Sequence, residues 1–85
     1  MGIYLNINIK LDSVILAYLD SSNKKNNIEL ISDDKLSWRV PNEERLDIGY
    51  YAFIVNNQFW ICDSNCSQLV EKYGVYFSDY RCLSR

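Results

Sequence analysis

Apolar and polar positions divide this chain into short elements, and the clearest of them spans residues 48–62, IGYYAFIVNNQFWIC, where two apolar, aromatic-rich runs flank Asn56-Asn57. Asparagine tolerates the positive φ that a tight two-residue turn demands, so this stretch predicts a β-hairpin. On its first strand Ile48, Tyr50, Ala52 and Ile54 point one way, and Tyr51, Phe53 and Val55 the other. Both faces are apolar. Such a strand is central in a sheet covered on two sides, or has one face held for a partner.

Residues 1–10 alternate, with Ile3, Leu5, Ile7 and Ile9 on one face and Tyr4, Asn6, Asn8 and Lys10 on the other, as in a half-buried strand. Asp12-Ser13 then offers a helix N-cap. Leu11, Ile15, Tyr18 and Leu19 fall at helical spacing, which predicts a short helix over residues 14–19; the β-branched and aromatic content suits a buried strand as the alternative. Residues 21–27, SSNKKNN, form a low-complexity stretch expected as an exposed loop. Residues 28–32 and 35–40 predict two strands joined across Asp33-Asp34, the second closed by Pro41, which has no N–H for a ladder. Residues 42–47, NEERLD, suit one helical turn or an open loop. Asp63 and Ser64 offer N-caps for a helix to Tyr73, with Cys66, Leu69, Val70 and Tyr73 as its apolar stripe and Gly74 as its C-terminal cap. Residues 75–80 alternate again and close the chain with a strand. The expected fold class is α+β: a single domain over residues 1–85, its antiparallel sheet built from hairpins and backed by one or two short helices.

Composition narrows the chemistry. The chain has 85 residues, 48% hydrophobic and 14% aromatic, which is ordinary for a globular chain and too apolar for a disordered one. There is no histidine, which removes the commonest general base, the Ser–His and Cys–His pairs and the commonest metal ligand. Three glycines, at positions 2, 49 and 74, make no phosphate-binding loop. An enzyme is not expected, and no cofactor is implied. A net charge of −2 argues against a nucleic-acid partner, which calls for a clustered basic face. No stretch is long and apolar enough to span a bilayer, and no export signal precedes the first strand, so a cytoplasmic protein without membrane contact is expected. The start Met1-Gly2 is followed by Asn6 where a myristoylation signal wants Ser or Thr.

Three constellations remain. Cys62, Cys66 and Cys82 are an odd set that reads as reduced, buried thiols without a structural disulfide. The spacing of Cys62 and Cys66 is one residue too long for C-x-x-C, and a zinc site on the three cysteines would need a carboxylate as its fourth ligand. Metal is therefore not expected; if any bound, these thiols would hold it. The carboxylates Asp33, Asp34, Glu43, Glu44 and Asp47 border the Trp38 strand as a charged rim able to steer a basic partner. The aromatic residues exceed what so small a core hides. Phe53, Phe59 and Trp60 are assigned to the core, and Tyr51, Tyr76 and Tyr80 to an exposed patch, since tyrosine and tryptophan combine large area with a polar handle.

In length, acidity and aromatic content the chain resembles small acidic inhibitor proteins of bacteria and their phages, such as nuclease immunity and anti-defence proteins. That resemblance is one of overall character and transfers no residue. The leading expectation is a non-catalytic protein-binding module, an inhibitor or antitoxin-like factor, meeting a protein target of basic character through Trp38, Glu43, Glu44, Asp47, Tyr51, Tyr76 and Tyr80. A homodimer formed through an apolar face or an unpaired sheet edge is the second reading. A cysteine-based zinc or redox protein is the third.

Overall fold

The hairpin expected at residues 48–62 forms, and its first strand becomes the centre of the molecule. A computed structural model describes residues 2–83; Met1, counted in the first expected strand and in the Met1-Gly2 start, lies outside them. Among the described residues the strands are β1 (Tyr4–Asn6), β2 (Val14–Leu19), β3 (Lys25–Glu29), β4 (Ser37–Arg39), β5 (Tyr50–Val55), β6 (Phe59–Ile61), β7 (Leu69–Lys72) and β8 (Val75–Asp79). Short 3-10 turns cover Glu43–Arg45 and Tyr80–Leu83.

The main sheet runs β3-β2-β5-β8-β7, all antiparallel, and β6 also pairs with β5. Two strands share one edge of β5. Tyr50 and Tyr51 face Asp79 and Ser78 of β8, whereas Phe53, Ile54 and Val55 face Ile61, Trp60 and Phe59 of β6. The other edge of β5 pairs along its whole length with β2, from Leu19↔Tyr50 to Val14↔Val55.

The α+β expectation is corrected to a mostly β fold, because neither backing helix forms. Residues 14–19 are β2. Their apolar run reflects a strand paired on both edges and covered on both faces, for which β-branched and aromatic side chains are suited. The helix expected from Asp63 to Tyr73 is a turn followed by β7. Of its supposed stripe only Cys66 is buried; Leu69 and Tyr73 are exposed, so the helical spacing was coincidental. Gly74 ends no helix. Tyr73 and Gly74 both take positive φ, 56° and 80°, and make the tight turn of the β7–β8 hairpin. Of the expected pairing of residues 28–32 with 35–40, only the Ile31–Arg39 bridge forms. Residues 25–29, assigned in part to a loop, pair with β2, and β4 pairs with β1 in a separate two-stranded ribbon, Leu5 facing Trp38.

Two apolar clusters follow. The larger lies between the main sheet and the ribbon, where Ile3, Leu5, Trp38 and Val40 meet Val14, Leu16, Tyr51, Phe53 and Val55. Fully burying side chains of this size contributes about 1.5–3 kcal/mol each. The smaller, of Ala17, Leu19, Ala52 and Phe77, lies on the opposite face, with Tyr50, Ile54, Val70 and Val75 around it. It is covered because β6 displaces β8 from the second half of β5. The β7–β8 turn then reaches across to the β2–β3 turn: Tyr73 donates its hydroxyl to the Asn23 carbonyl at 2.9 Å, and Lys25 Nζ sits 4.4 Å from the Tyr73 ring centre. Gly49 sits at a close approach, where a Cβ would lie 3.2 Å from the Leu19 carbonyl oxygen and crowd it. Asn56 does two things. It takes a positive φ of 52° in the β5–β6 turn, and its Oδ1 accepts from Asp12 N–H and Ser13 N–H, tying that turn to the entry of β2.

The expectation of unpaired thiols is corrected as well. Cys66 and Cys82 form a disulfide across a sequence separation of 16, joining the turn before β7 to the 3-10 turn after β8. The odd count and the reducing setting expected of the chain argued against a pair, whereas the β7–β8 hairpin brings these two together and leaves Cys62 as the odd thiol. Closing a loop of this length restricts the unfolded chain by about 3 kcal/mol. Reduction, or Cys82→Ala, is therefore expected to lower unfolding free energy by about that amount in urea titrations, with Cys62→Ala near neutral. An unchanged midpoint after reduction would contradict the bond.

Candidate functional site

The sequence-derived site residues separate into an interior pair, a groove and two isolated positions. Trp38 is 3% exposed and Tyr51 0% exposed, so the Tyr51 expected at the surface is a core residue. The reason is β5's register: Tyr51 shares the face of Phe53 and Val55, which the β1–β4 ribbon covers. Its hydroxyl donates to Asp63 Oδ2 at 2.7 Å, and Asp63 N–H donates to Ser78 Oγ, so a buried carboxylate is satisfied by a buried phenol. Burial first, and then Asp63, push the Tyr51 phenol far above its ordinary pKa. The Trp38 indole N–H has no partner among the described residues.

Glu43, Glu44 and Tyr80 do come together, lining an open groove with Gly2. The Tyr80 hydroxyl donates to Glu43 Oε2 at 2.6 Å, and Glu43 Oε1 accepts from Ile3 N–H at 2.8 Å. The Tyr80 ring also meets Tyr51 edge-on at 6.2 Å. Desolvation, reinforced by Glu43, raises the Tyr80 phenol to about 12. Two tyrosines thus stand between two carboxylates. The arrangement ties β1, the Glu43 turn and the end of β8 together, and both phenols are held protonated, which makes poor bases of them.

The acidic rim is largely engaged with the chain itself. Asp47 Oδ2 accepts from Ser21 N–H and Oγ–H, Asp34 Oδ1 from Leu36 and Ser37 N–H, and Asp20 Oδ1 from Ser22 and Lys24 N–H. Those backbone donors hold the Asp34 and Asp20 carboxyls below their ordinary pKa. Arg81 does the same for Asp79, at 2.7 Å. Such turns favour Asp because its short side chain reaches backbone N–H groups two or three residues on.

With Cys66 and Cys82 bonded to each other, no group of three or more metal-ligating side chains gathers among the described residues. Cys62 is half-buried, donates to the Tyr76 carbonyl at 3.4 Å, and has its pKa raised by desolvation, the opposite of an activated thiolate.

Other aromatic residues hold the surface. Phe59 is 60% exposed and Trp60 46%, both assigned to the core from sequence, and Tyr76 is 60% exposed as expected. The register places Phe59 and Ile61 on the face of Phe53, and Tyr76 and Leu69 on the face of Tyr51 and Ser78. Phe59 continues the core face of the sheet on β6, whereas Tyr76 and Leu69 lie on the outer side of the β7–β8 hairpin, whose inner side covers the second cluster. Leu69 is exposed as well, and Cys62 bonding Tyr76 joins the end of β6 to the start of β8. Trp60 faces the other way, edge-on to Phe77 at 6.2 Å, and borders an open groove with Lys25, Asn26 and Asn27. The one signal in the sequence was the brevity of the second hairpin run, which leaves Phe59 and Trp60 on an edge strand.

A phenol whose pKa is higher folded than unfolded supports the fold while protonated. Stability from Tyr80 is expected to be complete below its ordinary value of 10.0 and to fall as pH rises through about 12. Urea titrations of the wild type and Tyr80→Phe across that window check this: the variant's stability should fall less with pH, and parallel curves would disprove the assignment.

No protein-family model, curated protein or solved structure matches this chain.

Proposed function

We propose that this protein is a non-catalytic module that binds another protein through exposed side chains, Phe59 on β6 with Tyr76 and Leu69 on the β7–β8 hairpin, in the manner of an inhibitor that occludes its target. The observation supporting this reading is that two aromatic rings, Phe59 and Tyr76, stand 60% exposed in a chain of this size. Exposure of that kind costs solvation and contributes nothing to the fold, so it fits a surface completed by a partner. Glu71, directly across from Tyr76, adds a carboxylate beside the rings, and the chain's net charge of −2 suits a basic target. The groove of Glu43, Glu44 and Tyr80 is the acidic part of the same proposal. Trp38 and Tyr51 act from inside, as supports. Among the described residues no helix is long and apolar enough to cross a membrane. The Cys66–Cys82 bond favours an oxidising setting, where such bridges persist, over the reducing one expected from sequence.

Affinity capture with wild type and Phe59→Ser/Tyr76→Ser identifies the target, and calorimetric titration of the purified target tests the surface. Loss of two anchors is expected to weaken binding by about 30-fold or more while the circular dichroism spectrum is unchanged. Equal affinity for both proteins would remove this surface from the proposal.

A further inference from the structure

We infer that the protein self-associates through the edge strand β3, pairing antiparallel with the β3 of a second copy about Asn27. This inference is independent of the Phe59–Tyr76 surface, which lies on other strands. It rests on the direction of the backbone groups of β3 and on the placement of its charges.

β3 is the end strand of the main sheet, so one of its edges has no neighbour in the sheet. Which of its groups face that edge follows from the β2–β3 ladder. Leu30 N–H bonds the Val14 carbonyl and Asp20 N–H the Lys24 carbonyl, and both pairs lie in the register that sets Leu16 opposite Ile28 and Tyr18 opposite Asn26. Bonded and non-bonded pairs alternate in an antiparallel ladder. Asn26 and Ile28 therefore direct their N–H and C=O to β2, and Lys25, Asn27 and Glu29 direct theirs outward. Beyond Glu29 the edge is closed, because Ile31 exchanges both of its backbone bonds with Arg39. At the near end Asn23 turns away with a φ of 62°. The open window is centred on Asn27.

A two-fold axis through Asn27 sets Asn27 against its own copy and Lys25 against Glu29 in both directions. Each of these is a pair of outward-facing residues, so each can exchange two backbone hydrogen bonds. Their side chains, all exposed, share one face, where lysine meets carboxylate on either side of paired amides. Charges on an edge strand ordinarily repel a second strand. In this register they attract, and a shift of two residues in either direction breaks the Lys25–Glu29 pairing and sets one charge against Asn27 instead. The opposite edge offers no such match. There Asp79 N–H bonds the Gln68 carbonyl, which turns Leu69 and Glu71 of β7 outward, and self-pairing would set Glu71 against itself or against leucine. Lys25 already lies over the Tyr73 ring, which holds its side chain at the edge without neutralising it.

The test is sedimentation equilibrium up to millimolar concentration on wild type, Lys25→Glu, Glu29→Lys, an equimolar mixture of those two variants, and Asn27→Pro. Asn27→Pro removes only an outward N–H, which an edge strand tolerates. Wild type is expected to dimerise, each charge variant alone to associate at least about tenfold more weakly, and the mixture to recover a heterodimer, since an all-carboxylate edge then meets an all-lysine edge. Asn27→Pro should be monomeric with an unchanged urea midpoint. A monomeric wild type at the highest concentration overturns the inference, and so does a wild-type dimer that survives Asn27→Pro. Failure of the mixture to associate better than its components overturns the register.

Discussion

The whole structure depends on β5 having its backbone paired along both edges. A strand buried on both faces cannot leave N–H or C=O groups to water, so each needs a partner strand. β2 supplies one edge in full, and β6 and β8 divide the other between them. That division turns the part of β8 before Ser78 away from β5, folds the β7–β8 hairpin over Ala17 and Ala52, and creates the second apolar cluster. It also leaves β6 as a three-residue strand with Phe59 and Trp60 in solvent. The exposed aromatic residues and the buried core are thus two results of one pairing arrangement.

A chain this small has many turns for its length, and turns leave backbone donors unpaired. Carboxylates meet that need here. Asp20, Asp34, Asp47, Asp63 and Glu43 each accept from backbone or hydroxyl groups of the chain itself, fixing the β2–β3 turn, the approach to β4, the loop after β6 and the attachment of β1. The acidic composition therefore describes loop architecture at least as much as it describes a charged surface. The disulfide ties the turn before β7 to the 3-10 turn after β8 by a covalent bond.

Some of this was legible from residues alone. Asn56-Asn57 marked the central hairpin, the alternation of Ile3 and Leu5 marked β1, and the absence of histidine bounded the chemistry. Tyr76 was correctly placed at the surface. The pattern failed where two periodicities coincide: Cys66, Leu69, Val70 and Tyr73 sit at helical spacing, yet alternation within Leu69–Lys72 is what burial follows. It failed again for Tyr51 and for Phe59 with Trp60, whose exposures are the reverse of those expected. Both faces of that hairpin are apolar, and periodicity within one strand carries no information about which part of a face another layer covers.

What the amino-acid sequence determined by itself was local: where the chain turns, which strand is apolar throughout, and which residues accept a positive φ. Those properties depend on sterics within two or three residues, and Asn56, Asn57 and Gly74 display them in isolation. Only the tertiary structure decided that Val14–Leu19 is a strand, that Cys66 finds Cys82, that the carboxylates serve the loops, and which aromatic rings meet water. Each of these rests on contacts between residues far apart in the chain, where the free energy of one pairing depends on all the others that it permits.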